Sequence, residues 1–457
     1  MGRRLGSLAV PAYVLLCLTL GGSGQGIWAN MVLQLLGLGL IVWAAARRAE
    51  EPLAPDQRQL LWLAIIALGI VAMQLVPLPA SVWQGLGARQ PIADGYRILG
   101  IPPPALPLSL TPYGGLASLL SLIPALAVLV GCWRLAPRPV LLVVAVLAAT
   151  FGGIMIGALQ VSSPDPAGSP WYFYPETNYG VATGFFANAN HMATLLVISL
   201  PFLAAVLASA RGRGRNAQRY SAILALVAGG AVVVAVGLAL NGSLAGYGLA
   251  APVLLASALI VLPGRSRAFG WIAPAAGIVL IGSVGWLATT PLSSSASLRA
   301  NAETSVQSRA EITATSAKAV RAFLPLGSGL GSFQEVYAVY EDHDRIDPTT
   351  YVNHAHNDYL ELALETGVPG LLILVLFLAW WGKAAWRAWR RSDADPYAQA
   401  AAIATAAILV HSLVDFPLRT AAIGACFALS LALLARQRQP AAPDQSELRP
   451  TRHVVLG

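Results

Sequence analysis

The chain has 457 residues, of which 56% are hydrophobic and only 11% charged, with mean hydropathy +0.64. A soluble protein of this length carries about 25% charge, so the composition excludes a soluble globular fold and places most of the chain in lipid. The net charge of +8 would suggest nucleic acid in a soluble chain; here arginines in cytoplasmic loops account for it, and no nucleic-acid partner is expected.

A bilayer core about 30 Å thick needs roughly 20 apolar residues per crossing helix. Lipid leaves no unpaired backbone groups, so helices or a closed barrel must form, and these runs are too long and continuous for barrel strands. The sequence predicts an all-α polytopic membrane protein with about twelve transmembrane helices. In chain order they fall near 5–22, 27–46, 60–78, 115–133, 139–160, 191–210, 220–240, 244–262, 270–290, 367–386, 398–416 and 419–435. The first, "MGRRLGSLAVPAYVLLCLTL", resembles a signal peptide but lacks a convincing small-residue cleavage site, so it reads as a retained helix. Cys17, Cys132 and Cys426 lie far apart in apolar stretches and read as small core residues.

Placing the N-terminus inside and alternating leaves Arg89, Arg97, Arg299, Arg309, Lys318, Arg321, Arg345 and Arg419 outside. All the other basic residues among the 29 then fall inside. That bias predicts cytoplasmic N- and C-termini. The predicted divisions are a transmembrane bundle of about nine helices at 1–290, a large periplasmic loop at 291–366, C-terminal transmembrane helices at 367–436, and a disordered cytoplasmic tail at 437–457. Within the large loop, "SVQSRAEITATSAKAVRAFL" reads as a helix capped by Ser305. "PLGSGLGSF" breaks it, and "FQEVYAVYEDHD" reads as a second short helix.

Polar residues gather where that loop meets the next helix, in "YVNHAHNDYLELALETGVPG". His354 and His356 beside Asn357 suit a general base with an orienting partner. Two other readings stand beside this one: a zinc set with His343, or a cap on the following helix. Arg309, Lys318, Arg321 and Arg345 suit clamping of phosphate oxygens, or pairing with the acids of the same loop. Asn188 and Asn190 in "GFFANANHMA" suit binding of sugar hydroxyls, or capping of the helix they precede. His411 and Asp415 fall four apart, as if on one helical face, and read as a functional pair or as a local pair that steadies the bundle.

Together these segments resemble the O-antigen ligase and polymerase superfamily, bacterial membrane glycosyltransferases of the GT-C type. "HAHNDYLELALETGVPGLL" resembles its C-terminal signature, "SRAEI" with "LPLGSGLGSF" its arginine helix and glycine-rich break, and "GFFANANHMA" and "HSLVDF" fit in order and spacing. The resemblance covers roughly 180–420, and earlier helices by topology alone. It implies that His356 activates the acceptor hydroxyl and that Arg309 holds an undecaprenyl diphosphate. His354 and Asn357 would support them. A second arginine usual in the family is replaced here by Leu244, and Arg321 and Arg345 are the candidates to substitute.

The expected function is an O-antigen ligase-like transfer of a glycan from undecaprenyl diphosphate to an acceptor hydroxyl. The acceptor would be lipid A-core, for lipopolysaccharide, or a growing polysaccharide. Transfer would take place at the periplasmic face of the bacterial inner membrane, without cofactor or metal. The alternatives are a polysaccharide polymerase, as for an exopolysaccharide, or a protein O-oligosaccharyltransferase of the same superfamily, and, in another class, a transporter of lipid-linked glycan.

Overall fold

A computed structural model describes residues 2–24, 27–47, 52–211, 217–262, 296–342, 352–390 and 395–436. The described residues are all-α apart from one two-stranded antiparallel pair, β1 (Pro77–Leu78) with β2 (Leu106–Pro107). It runs α1 (Gly2–Leu20), α2 (Ile27–Ala46), α3 (Pro55–Gln74), α4 (Ala80–Trp83), α5 (Gln90–Ile98), α6 (Pro112–Ser121), α7 (Ile123–Leu135) and α8 (Pro139–Val161). It continues with α9 (Ala189–Arg211), α10 (Ala217–Asn241), α11 (Leu244–Val261), α12 (Ala296–Phe323), α13 (Phe333–Tyr340), α14 (Asp358–Arg390), α15 (Pro396–His411) and α16 (Ala421–Leu434).

Eight helical segments among the described residues are long and apolar enough to cross a membrane, and three shorter apolar helices accompany them. The chain is therefore a multi-pass membrane protein. The predicted span at 270–290 and the predicted tail at 437–457 lie outside the described residues. The predicted helix at 115–133 is two, α6 and α7, which together make one span, Pro112–Leu135; Pro124 at the start of α7 cannot donate to the preceding turn. The predicted helix at 398–416 ends early, at His411.

α9 is the central helix. Its membrane window is 78% buried, against 11% for α3, and it packs on α8, α10, α11 and α15. A helix apolar on every side belongs inside a bundle. Its N-terminal turn therefore delivers Asn190, His191 and Thr194 to the interior.

A smaller core stands beside the bundle. On α12, Ile312, Ser316, Ala319 and Phe323 recur at helical spacing and are buried. The hydrophobic members of that face join Phe333, Val336, Tyr337, Ala355 and Leu364. One turn before Ile312, the same face carries Arg309.

The glycine-rich stretch locks onto the break in α14. Gly367 has φ 59 and ψ −149, which splits that helix into an entry segment and a membrane span. Val368 donates to the Pro325 carbonyl at 2.8 Å, Ser328 to that of Leu364 at 2.9 Å and Gly329 to that of Glu365 at 2.9 Å. A Cβ on Gly367 would lie 2.2 Å from the Pro325 oxygen, so only glycine fits. From the other side, Gln74 donates to the Glu365 carbonyl at 2.9 Å and accepts from the Leu330 N–H at 3.1 Å. Arg89, buried, donates to the carbonyls of Leu108 and Gly327. This arginine of an expected outside loop thus holds backbone rather than ligand.

Candidate functional site

The ends of α9, α11, α14 and α15 meet around the short connection 412–420 between α15 and α16. Asp415, fully buried, is the centre. Its Oδ2 accepts from the Asn190 side-chain amide at 2.5 Å and lies 3.7 Å from an Arg309 guanidinium nitrogen. Its Oδ1 lies 3.4 Å from His356 Nδ1. One carboxylate thus gathers three of the residues singled out from the sequence, each from a different segment.

Burial works to raise the Asp415 pKa. The contact with His356 and the charges of His191, His411 and His356 outweigh it, and the carboxyl is held well below the usual range. Asp415 is therefore an anion in a dry setting. It is suited to stabilising a neighbouring imidazolium.

His356 has φ 50. A non-glycine residue in this region carries a backbone cost on the order of 1–3 kcal/mol, sustained only where its surroundings fix it. The flanking bonds do so: Ala355 N–H to Glu361 Oε2 at 2.9 Å, and Asp358 N–H to the Ser412 carbonyl at 2.9 Å.

His354 sits in a second network. Its Nδ1 is 2.9 Å from Glu361 Oε1. Asp358, Glu361 and Glu365 share one face of the entry segment of α14, at spacings of three and four. All three are buried and meet Arg419. The guanidinium donates twice to Glu365 Oε2 at 3.1 Å, and lies 3.3 Å from Glu361 and 3.6 Å from Asp358. Glu365 also accepts from the Gly331 N–H at 2.8 Å, and Asp358 from the Ser412 hydroxyl at 2.7 Å. Burial would lower the Arg419 pKa, but the carboxylates of Glu361, Glu365 and Asp358 outweigh it and raise it. Phe416 fills the space between the networks. Its ring centre is 4.3 Å from that of His354 and 5.0 Å from those of His356 and His191.

The remaining sequence candidates divide. Asn357 caps α14: its Oδ1 accepts from the N–H groups of Tyr359 and Leu360 at 3.0 Å, and its amide donates to the Leu413 carbonyl at 2.9 Å. Asn188 accepts from the Asn190 N–H at 2.8 Å and turns the chain into α9. Asn190 has both ends of its amide engaged, with Asp415 and with the Ser243 hydroxyl at 2.7 Å. Arg321 is exposed. It follows Arg309 on α12 by about 18 Å of helix and is not brought to the cluster. Arg345 and His343 lie outside the described residues. Leu244 opens α11 beside its cap, Ser243, whose hydroxyl accepts from the Gly246 N–H. α15 ends at His411, and a last turn follows in which the Asp415 N–H donates to the His411 carbonyl at 3.0 Å. His411 Nδ1 pairs with the Thr194 hydroxyl at 2.7 Å.

The sequence places Glu361 and Glu365 in the polar cluster at 351–370 without a role and Arg419 only among the outside basic residues, and it does not single out Phe416. The signal for the acids was present: carboxylates at helical spacing on a face meant for burial require a cation. Its identity was not, because Arg419 is far off in sequence.

Residues 229–375 match the family model described as O-antigen ligase. The matched stretch includes Arg309, His354, His356, Asn357, Glu361 and Glu365, and stops before Asp415, Phe416 and Arg419. Among curated proteins no match is found.

Proposed function

We propose that this polytopic membrane protein, which carries a domain of the O-antigen ligase family, transfers a glycan from a polyprenyl diphosphate, most simply undecaprenyl diphosphate, to an acceptor hydroxyl. The observation that carries the reading is the convergence of His356, Arg309 and Asn190 on the buried Asp415 carboxylate.

The acceptor hydroxyl oxygen attacks the anomeric carbon. The bond from that carbon to the diphosphate oxygen breaks, and the lipid diphosphate leaves with the electron pair. His356 takes the hydroxyl proton, and Asp415 stabilises the imidazolium that forms. Arg309, 31% exposed and, among the described residues, only loosely paired at 3.7 Å, is suited to turn donors to the charge growing on the leaving group. Attack from the face opposite the diphosphate inverts the anomeric centre. No step is routed through a metal. The reaction is proposed for the periplasmic face of a bacterial inner membrane, with lipid A-core as acceptor.

The test is the glycan profile of a strain lacking the gene, with the native or the His356→Ala protein restored. Long chains stranded on the lipid carrier, cleared by the native protein alone, support a ligase. Single stranded units indicate polymerisation at the same site. A profile that His356→Ala restores fully would overturn the reading.

A further inference from the structure

The reading above uses Asp415 and His356 and leaves the second buried network without a task. That network has a direction. Glu361 accepts from the Ala355 N–H at 2.9 Å through one oxygen, and faces Arg419 at 3.3 Å and His354 Nδ1 at 2.9 Å through the other. A carboxylate so placed can only accept, so the proton between Glu361 and His354 belongs to Nδ1. Neutral His354 is therefore held with Nε2 unprotonated. Among the described residues that nitrogen has no hydrogen-bond partner, and the side chain is 26% exposed. A carboxylate that holds the proton on one ring nitrogen leaves the other as a fixed hydrogen-bond acceptor.

We infer that Arg419 and Glu361 are positioning residues for the transfer: Arg419 fixes Glu361, and Glu361 fixes the ring and tautomer of His354, whose Nε2 accepts a hydrogen bond from a second hydroxyl of the acceptor and so orients the hydroxyl that His356 deprotonates. The substrate class rests on the transferase reading; the positioning does not.

Three features support a positioning role over a purely structural one. First, Arg419 lies 3.3 Å from the same Glu361 oxygen that meets His354. Second, the Phe416 ring, 4.3 Å from the His354 ring between centres, packs against it and limits its rotation. Third, Arg419 and Phe416 come from one short connection, so a single backbone segment sets the ring through a charge and through a contact.

The test is nitrogen NMR of histidine-labelled protein in detergent micelles without substrate, with the His354 signals assigned by His354→Gln. The native protein is expected to show His354 as the Nδ1–H tautomer when neutral. Arg419→Gln and Glu361→Ala are expected to release it to the Nε2–H form favoured by free imidazole, with the His356 signals unchanged. Arg419→Lys is expected to keep the native tautomer. In the strain lacking the gene, Arg419→Gln should lower restored glycan by about tenfold or more, with Arg419→Lys recovering much of it. If Arg419→Gln does not fold, Glu361→Ala and Arg419→Lys carry the same comparison. A His354 that keeps the Nδ1–H tautomer in a folded Glu361→Ala protein would overturn the inference. Because the spectra need no substrate, that result is separate from any failure to transfer glycan.

Discussion

His356 Nδ1 lies 3.4 Å from Asp415 Oδ1, and the same carboxylate accepts from Asn190 through its other oxygen. Removing the charge while keeping the shape should therefore silence the imidazole without emptying the pocket. Asp415→Asn is expected to cut glycan transfer by about a hundredfold or more, read with lipid-linked donor and purified protein. The same variant carries a pH signature. The folded Asp415 pKa is depressed below its unfolded value of about 3.9. Its stabilisation is thus complete above that value and is lost as pH falls toward the folded pKa. The native melting temperature should drop through the acid range, and Asp415→Asn should flatten that drop. Equal slopes in the two proteins would remove Asp415 from the charge balance.

Arg309 shares a helix face with Ile312 and Ser316, whereas Arg321 is exposed. Arg309→Ala is expected to lower turnover by about 10²- to 10³-fold, the usual loss for a donor aimed at developing charge. Arg321→Ala should stay within about threefold, because a solvated arginine away from the reacting groups contributes little. Comparable losses in the two would mean that the donor lies along α12 rather than at Asp415.

Gly367→Ala places a methyl against the Pro325 carbonyl at a backbone angle only glycine takes easily. The expected cost is on the order of 1–3 kcal/mol, and more if the glycine-rich stretch detaches. Thermal unfolding in detergent measures it. An unchanged melting temperature would show that the break in α14 is not fixed by its partner loop.

The proposed chemistry uses imidazole, guanidinium and carboxylate alone. Transfer should therefore be unchanged within about twofold in a chelator. A loss restored by a divalent cation would require a different mechanism.

Among the described residues the apolar helices fall where the sequence places them, because apolar runs of bilayer length need no partner to be recognised. Arg309 and His356 stand out in the sequence through their local motifs, and the structure brings both to Asp415. What escaped were relationships made by distant chain. The spacing of four relates Asp415 to His411 and says nothing of Asn190, Arg309 and His356, the distant residues that its carboxylate meets. Arg419 looked like one more exception to the charge bias. Only the packing of 412–420 onto α14 brings it to the three acids that need it. Arg89 likewise carries no local signal of its task, which is to clamp the carbonyls of Leu108 and Gly327.

The connection 412–420 also bears on how the protein is made. Its side chains finish both histidine networks, and it emerges from the ribosome after every other segment of the site. Both networks are therefore completed only when this late segment arrives, after the earlier helices have already been made.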